Sequence, residues 1–151
     1  SAARAAQFKA LHQRYAADVP ITIIDGQSRT TMAACDALLL TSGTVTLEAM
    51  LIKRPMVVAY RFSWLTFQLI KRLFKAPFFS LPNLLANERL VPEFAQTDAT
   101  VDALTQALEL QLQQPQVDVT LQRFTELHQQ LQRHANMLSA QVVSEFVDKT
   151  Q

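Results

Sequence analysis

Ser42, Gly43, Thr44 and Glu48 are the residues of this chain whose types and spacing are best suited to chemistry. The run Asp36-Ala37-Leu38-Leu39-Leu40-Thr41 reads as a strand and Thr44 to about Lys53 as a helix, so Ser42-Gly43 is a strand-to-helix turn. At the carboxyl end of a parallel strand, the N–H groups of a first helical turn form an anion site. Gly43 lets the backbone come close to an anion without a Cβ, and Ser42 and Thr44 add hydroxyl donors. Glu48 lies one turn into the helix, on the face of Thr44. It is not the acid of a capping box, because Ser42 is followed three residues later by Val45 and Thr44 by Leu47. A carboxylate there suits the hydroxyls of a ribose, and it equally suits a solvated helix face; spacing does not choose. With 2 glycines in the whole chain, the three-glycine dinucleotide fingerprint and the Walker loop are both excluded.

Other chemistry has little support. Cys35 is the single cysteine, which excludes an intramolecular disulfide and reads as a buried, inert thiol in a reducing compartment. His12, His128 and His134 do not have the spacing of a shared metal site, and no Asp-x-Asp pair is present, so neither a metal nor a cofactor is expected.

The elements that must position the turn follow from periodicity. Ala5 to Ala17 reads as a helix, Ile21-Thr22-Ile23-Ile24-Asp25 as a buried strand closed by Gly26, and Thr30 to Cys35 as a short helix. Met56-Val57-Val58-Ala59-Tyr60 is a further strand after the Arg54-Pro55 stop. Strands alternating with helices across short turns imply an α/β fold with a parallel sheet. Three strands, and a helix at the start, make that sheet look incomplete. Beyond Tyr60 the sequence predicts a helix from Ser63 to Lys75, a loop from Pro77 to Asn87 around Leu81-Pro82-Asn83, and a helix from Val101 to Leu112. After Pro115 comes a long helix, Val119 to about Val147. Its stripe of Leu121, Phe124, Leu127, Leu131, Ala135, Leu138, Val142 and Phe146 needs a surface to cover it. Residues 1–115 are therefore read as one partial domain, and 116–151 as a helix packing on a partner domain or a second subunit, with a homo-oligomer as one outcome.

Ser42-Gly43-Thr44-Val45-Thr46-Leu47-Glu48-Ala49-Met50-Leu51, then Lys53 to Arg61, then Ser80-Leu81-Pro82-Asn83-Leu84-Leu85-Ala86, resembles the C-terminal half of lipid-A-disaccharide synthase, a GT-B glycosyltransferase with two Rossmann-like domains. The resemblance runs from about Arg4 to Val147. It implies half of a Rossmann-like parallel sheet that binds the donor UDP-2,3-diacylglucosamine, whose sugar passes to the lipid acceptor 2,3-diacylglucosamine 1-phosphate. Ser42, Gly43 and Thr44 would lie near the diphosphate, Glu48 near the ribose and Asn83 on a loop bordering the cleft. The general base and the acceptor pocket would belong to an N-terminal domain, so this chain alone is expected to be inactive. Where the family continues Ala86 with Gly and Arg, this chain has Asn87-Glu88-Arg89. A related hexosaminyltransferase of peptidoglycan synthesis, a UDP-sugar epimerase, or a non-catalytic nucleotide- or membrane-binding fragment are the alternatives.

Composition supports an ordinary globular chain: 151 residues, 49% hydrophobic and 18% charged, exclude a disordered polypeptide. A net charge of +1 argues against nucleic acid as a partner but conceals a segregation. Residues 49–87 carry Lys53, Arg54, Arg61, Lys71, Arg72 and Lys75 and no acid. Within 63–75, Gln68, Lys71, Arg72 and Lys75 share one side of a helical wheel, opposite a wide apolar arc that includes Phe67 and Phe74, with Trp64 on the polar side. Such a helix would be about 20 Å long, too short to span a hydrocarbon core of about 30 Å. It suits the surface of an anionic bilayer, and it suits burial against the sheet equally well. With substrates that carry acyl chains, the resemblance implies a cytoplasmic enzyme peripheral to the inner membrane, with Trp64, Phe67, Lys71, Arg72, Phe74 and Lys75 facing the lipid.

Overall fold

The computed structural model describes residues 2–63, 77–113, 116–132 and 143–146. Its elements run α1 (Ala2–Tyr15), α2 (Ser28–Ala34), β1 (Leu38–Thr41), α3 (Thr44–Leu51), β2 (Met56–Tyr60), α4 (Leu81–Ala86), β3 (Glu93–Ala95), a 3-10 turn (Gln96–Asp98), α5 (Val101–Gln111) and α6 (Gln116–Leu131). The fold is α/β around a three-stranded parallel sheet in the order β1-β2-β3, as expected of part of a Rossmann-like domain. Thr41 lies level with Ala59, and Tyr60 with Ala95, so all three strands finish at one edge of the sheet.

Strand alternation divides the core. Met56 and Val58 point to the face where Met32, Leu38, Ala49, Met50, Val91, Phe124 and Leu127 pack. Val57 is equally buried but lies outside that cluster, and α5, with buried Ala107, packs on β2. Phe124 of α6 is fully buried against α3 and its neighbours. Over residues 116–131 the long helix packs on this chain's own α3, α4 and α5. The continuation of the stripe at Ala135, Leu138 and Val142 lies outside the described residues, as does the basic helix with Trp64, Phe67, Lys71, Arg72, Phe74 and Lys75.

Local signals explain where the helices stop. At the end of α3 the Lys53 N–H bonds the Met50 carbonyl and the Arg54 N–H reaches the Ala49 carbonyl, with Lys53 left-handed at φ 59°. That is a Schellman closure, and Pro55 follows it. The Lys53 ammonium donates to Nδ1 of His128 at 2.8 Å, fastening the closure to α6, and burial pulls Lys53 below its ordinary pKa. Helix α4 ends the same way: Asn87 sits at φ 53°, and the Glu88 N–H bonds the Asn83 carbonyl.

Three expectations change. Residues 81–86, read as loop, form α4, because Pro82 falls in the first turn, where its missing N–H costs nothing. A strand unforeseen in the sequence, β3, completes the described sheet. Ile21 to Asp25 is not a strand; Ile21, Ile23 and Ile24 are 42%, 47% and 52% exposed. They pair with no strand among the described residues. Cys35 is half-buried, and its thiol donates to the Thr31 carbonyl.

Replacing Phe124 with Ala should lower stability by about 3–5 kcal/mol through the cavity it leaves. Val119→Ala on the same helix, at a site 68% exposed, should change it by no more than about 0.5 kcal/mol. Urea denaturation of the two variants checks the assignment of the buried face.

Candidate functional site

The turn after β1 is held by side chains on both flanks. Ser42 is half-buried, and its hydroxyl donates to the Phe79 carbonyl at 2.7 Å. Gly43 is exposed, with φ 149° and ψ −170°. A Cβ added there would meet open space, so it is the backbone conformation, not crowding, that calls for glycine. Thr44 opens α3 and is exposed. No side chain caps the helix at Gly43. Buried Thr46 reaches back instead, donating its hydroxyl to the Gly43 carbonyl at 2.8 Å. An uncapped helix N-terminus at the carboxyl edge of a parallel sheet presents N–H groups and the positive end of the helix dipole to solvent.

Glu48 stands one turn further on, with its side chain 35% exposed, and Arg29 Nε of α2 lies 3.4 Å from its carboxylate. Spacing in the sequence supplied no local partner for Glu48; the structure supplies Arg29, whose own side chain is 80% exposed. At that exposure the pair adds little stability. It sets a positive charge beside the Glu48 carboxylate.

Glu93 closes the other flank. Its carboxylate accepts the Ser80 N–H at 2.7 Å and the Phe79 N–H at 3.2 Å, drawing the segment before α4 onto β3. That places Phe79 to receive the Ser42 hydroxyl. The Ser80 hydroxyl oxygen is buried without a hydrogen-bond partner among the described residues.

Asn83 is in the same neighbourhood but not at the turn's surface. It is fully buried; its Oδ1 accepts from the Leu90 and Val91 N–H groups at 2.8 and 2.9 Å, and its Nδ2 donates to the Val91 carbonyl at 2.9 Å. Both oxygen lone pairs and one of two N–H groups are occupied. Rather than lining a loop beside a cleft, Asn83 splints the turn between α4 and β3. Among the described residues no three His, Cys, Asp or Glu side chains gather as a metal site, and no helix is long and apolar enough to cross a membrane.

The turn, the Glu on the following helix and the buried Asn fall within a stretch that matches a known family. The model for the family described as lipid-A-disaccharide synthetase matches residues 1–146. The chain belongs to that family. Its relatives include a lipid-A-disaccharide synthase of Idiomarina loihiensis, 57% identical over 97% of this chain and 38% of that protein. A namesake from Pseudomonas fluorescens is 51% identical over 87% of the chain and 35% of its own length. One from Hahella chejuensis is 45% identical over 97% of the chain and 37% of its own length. The chain thus spans a little over a third of these lipid-A-disaccharide synthases.

Arg29 and Glu93 escaped sequence reading because each acts on residues from another element, and Thr46 because it bonds the Gly43 carbonyl instead of capping an N–H. Loss of the splint should be costly: Asn83→Ala takes the side-chain partner from the N–H and carbonyl of buried Val91, and leaves the Leu90 N–H with only the Glu88 carbonyl. A destabilisation of about 1–3 kcal/mol is expected, read as a lowered denaturation midpoint, with faster amide exchange at Leu90 and Val91.

Proposed function

We propose that this chain is the donor-binding portion of a glycosyltransferase that moves 2,3-diacylglucosamine from UDP to 2,3-diacylglucosamine 1-phosphate in lipid A synthesis. The observation that carries this reading is the uncapped N-terminus of α3, opened by Gly43 at the carboxyl edge of the sheet, with Glu48 one turn behind it. Family membership supplies the reaction class.

In this reading the diphosphate sits over Ser42, Gly43 and Thr44. As the bond from the anomeric carbon to the diphosphate breaks, negative charge grows on the leaving oxygen, and N–H groups already aimed there stabilise it without reorganising. Ser42 acts through position: with its proton given to Phe79, it holds the turn in shape. Glu48 accepts hydrogen bonds from the ribose hydroxyls, and Arg29 offsets the repulsion between that carboxylate and the diphosphate. Asn83 contributes by fixing the turn that leads into β3. The acceptor hydroxyl attacks from the opposite face, with inversion, and its general base is assigned to no residue of this chain.

Calorimetric titration of UDP into the full-length protein tests the site. Glu48→Ala should weaken UDP by roughly 10- to 100-fold, the value of hydrogen bonds to a charged group, and should leave 2′-deoxy-UDP much less affected. Unchanged UDP affinity in the variant would refute the ribose role.

The cationic stretch supports a second proposal, contact with an anionic membrane surface. Within it Lys53 and Arg54 are engaged inside the fold, on His128 and on the Ala33 carbonyl, so the lipid-facing charge reduces to Arg61, Lys71, Arg72 and Lys75. Flotation with phosphatidylglycerol-containing vesicles should show binding that falls with added salt. Absence of binding at low salt would remove this proposal and leave the nucleotide site standing.

A further inference from the structure

Gln96 combines two unfavourable features at one position. It follows the last residue of β3, and its backbone is left-handed, at φ 54°, a region that glutamine seldom enters. Its side-chain amide nitrogen is buried and has no hydrogen-bond partner among the described residues. A buried amide without an acceptor and a non-glycine residue at positive φ each cost free energy, and such costs concentrate where a ligand is bound.

The topology says which ligand group Gln96 would meet. Thr41 is level with Ala59, and Ala59 with Phe94. Gly43 lies two residues past Thr41, and Gln96 two residues past Phe94, so both follow the sheet's carboxyl edge. They are two strands apart, about 10 Å at the usual strand spacing. That is the scale of the step from a diphosphate to the far side of an attached hexose. Glu48, by contrast, meets Arg29 of α2, which precedes β1, and β3 is the strand farthest from β1 in the described sheet. A nucleotide sugar with its diphosphate over Gly43 and its ribose toward Glu48 therefore sends its sugar toward β3.

We propose that Gln96 is a binding residue for the hexosyl group of the nucleotide sugar, its carboxamide donating to a sugar oxygen. This assignment rests on the reading that the Ser42–Thr44 turn holds the diphosphate and Glu48 the ribose. Gln96 is only half-buried, and rotation about its side-chain bonds carries the amide from its unpaired position to the sheet's edge. Binding then supplies the acceptor that the free protein withholds.

The test uses the full-length protein with Gln96→Ala and Gln96→Gly, titrated with UDP and with UDP-2,3-diacylglucosamine. Glycine takes a positive φ freely, so the second variant keeps the fold while removing the amide. The expected result is a melting temperature for Gln96→Gly no lower than that of the unchanged protein. UDP affinity should stay within about 2-fold, and affinity for the UDP-sugar should fall about 10-fold, one hydrogen bond's worth at the upper end of the neutral range. If both ligands bind both variants as they bind the unchanged protein, the Gln96 assignment is overturned and the nucleotide site stands. Equal weakening of UDP and UDP-sugar overturns the hexosyl assignment as well. Failure of the unchanged protein to bind UDP overturns the underlying reading itself.

Discussion

The carboxylate of Glu93 fixes the frame on which the candidate site depends. Two N–H groups, from Phe79 and Ser80, end on it, and the Phe79 carbonyl in turn takes the Ser42 hydroxyl. One ionised acceptor thereby joins the third strand, the entry to α4 and the turn that opens α3. Hydrogen bonds to a charged acceptor are roughly twice as strong as neutral ones, and this carboxylate holds two. Thr46 adds a weaker link on the same side, accepting the Leu81 N–H at 3.4 Å while it donates to the Gly43 carbonyl.

Much of the architecture was legible in the sequence because it is locally encoded. β1, β2, α3 and α5 each carry their own period and their own stop signals, and the Ser42-Gly43 turn announces itself through its glycine. β3 was not legible: three half-buried residues beginning with a glutamate show no alternation. α4 was hidden by Pro82, which reads as a breaker until its place in the first turn is known. The candidate site was legible only along one element. Glu48 was found by spacing, but Arg29 is nineteen residues away and meets it only after α2 packs against α3. Asn83 was noticed for its motif and assigned to a cleft. Its burial comes from backbone groups seven and eight residues further on, which no periodicity reveals.

The departure from the family pattern after Ala86 has a conformational explanation. The position where the resemblance implies glycine is Asn87 here, and it is left-handed. Asparagine is among the residues that enter that region most readily after glycine, so the α4 closure survives the exchange. The following Glu88 then pairs with Arg123 of α6, which also bonds Glu126. The turn that closes α4 is thereby tied to the long helix.

One edge of the sheet has a practical meaning for anyone handling this polypeptide. Leu38–Thr41 is the first strand in the described order, no described strand pairs with its outer side, and Leu39 is half exposed. The β-branched run at residues 21–24 is likewise without a partner strand among the described residues. Open strand edges and extended apolar segments are templates for one another. Among the described residues this polypeptide therefore carries both an open strand edge and an unpaired β-branched run, the two partners that an edge-to-edge contact needs.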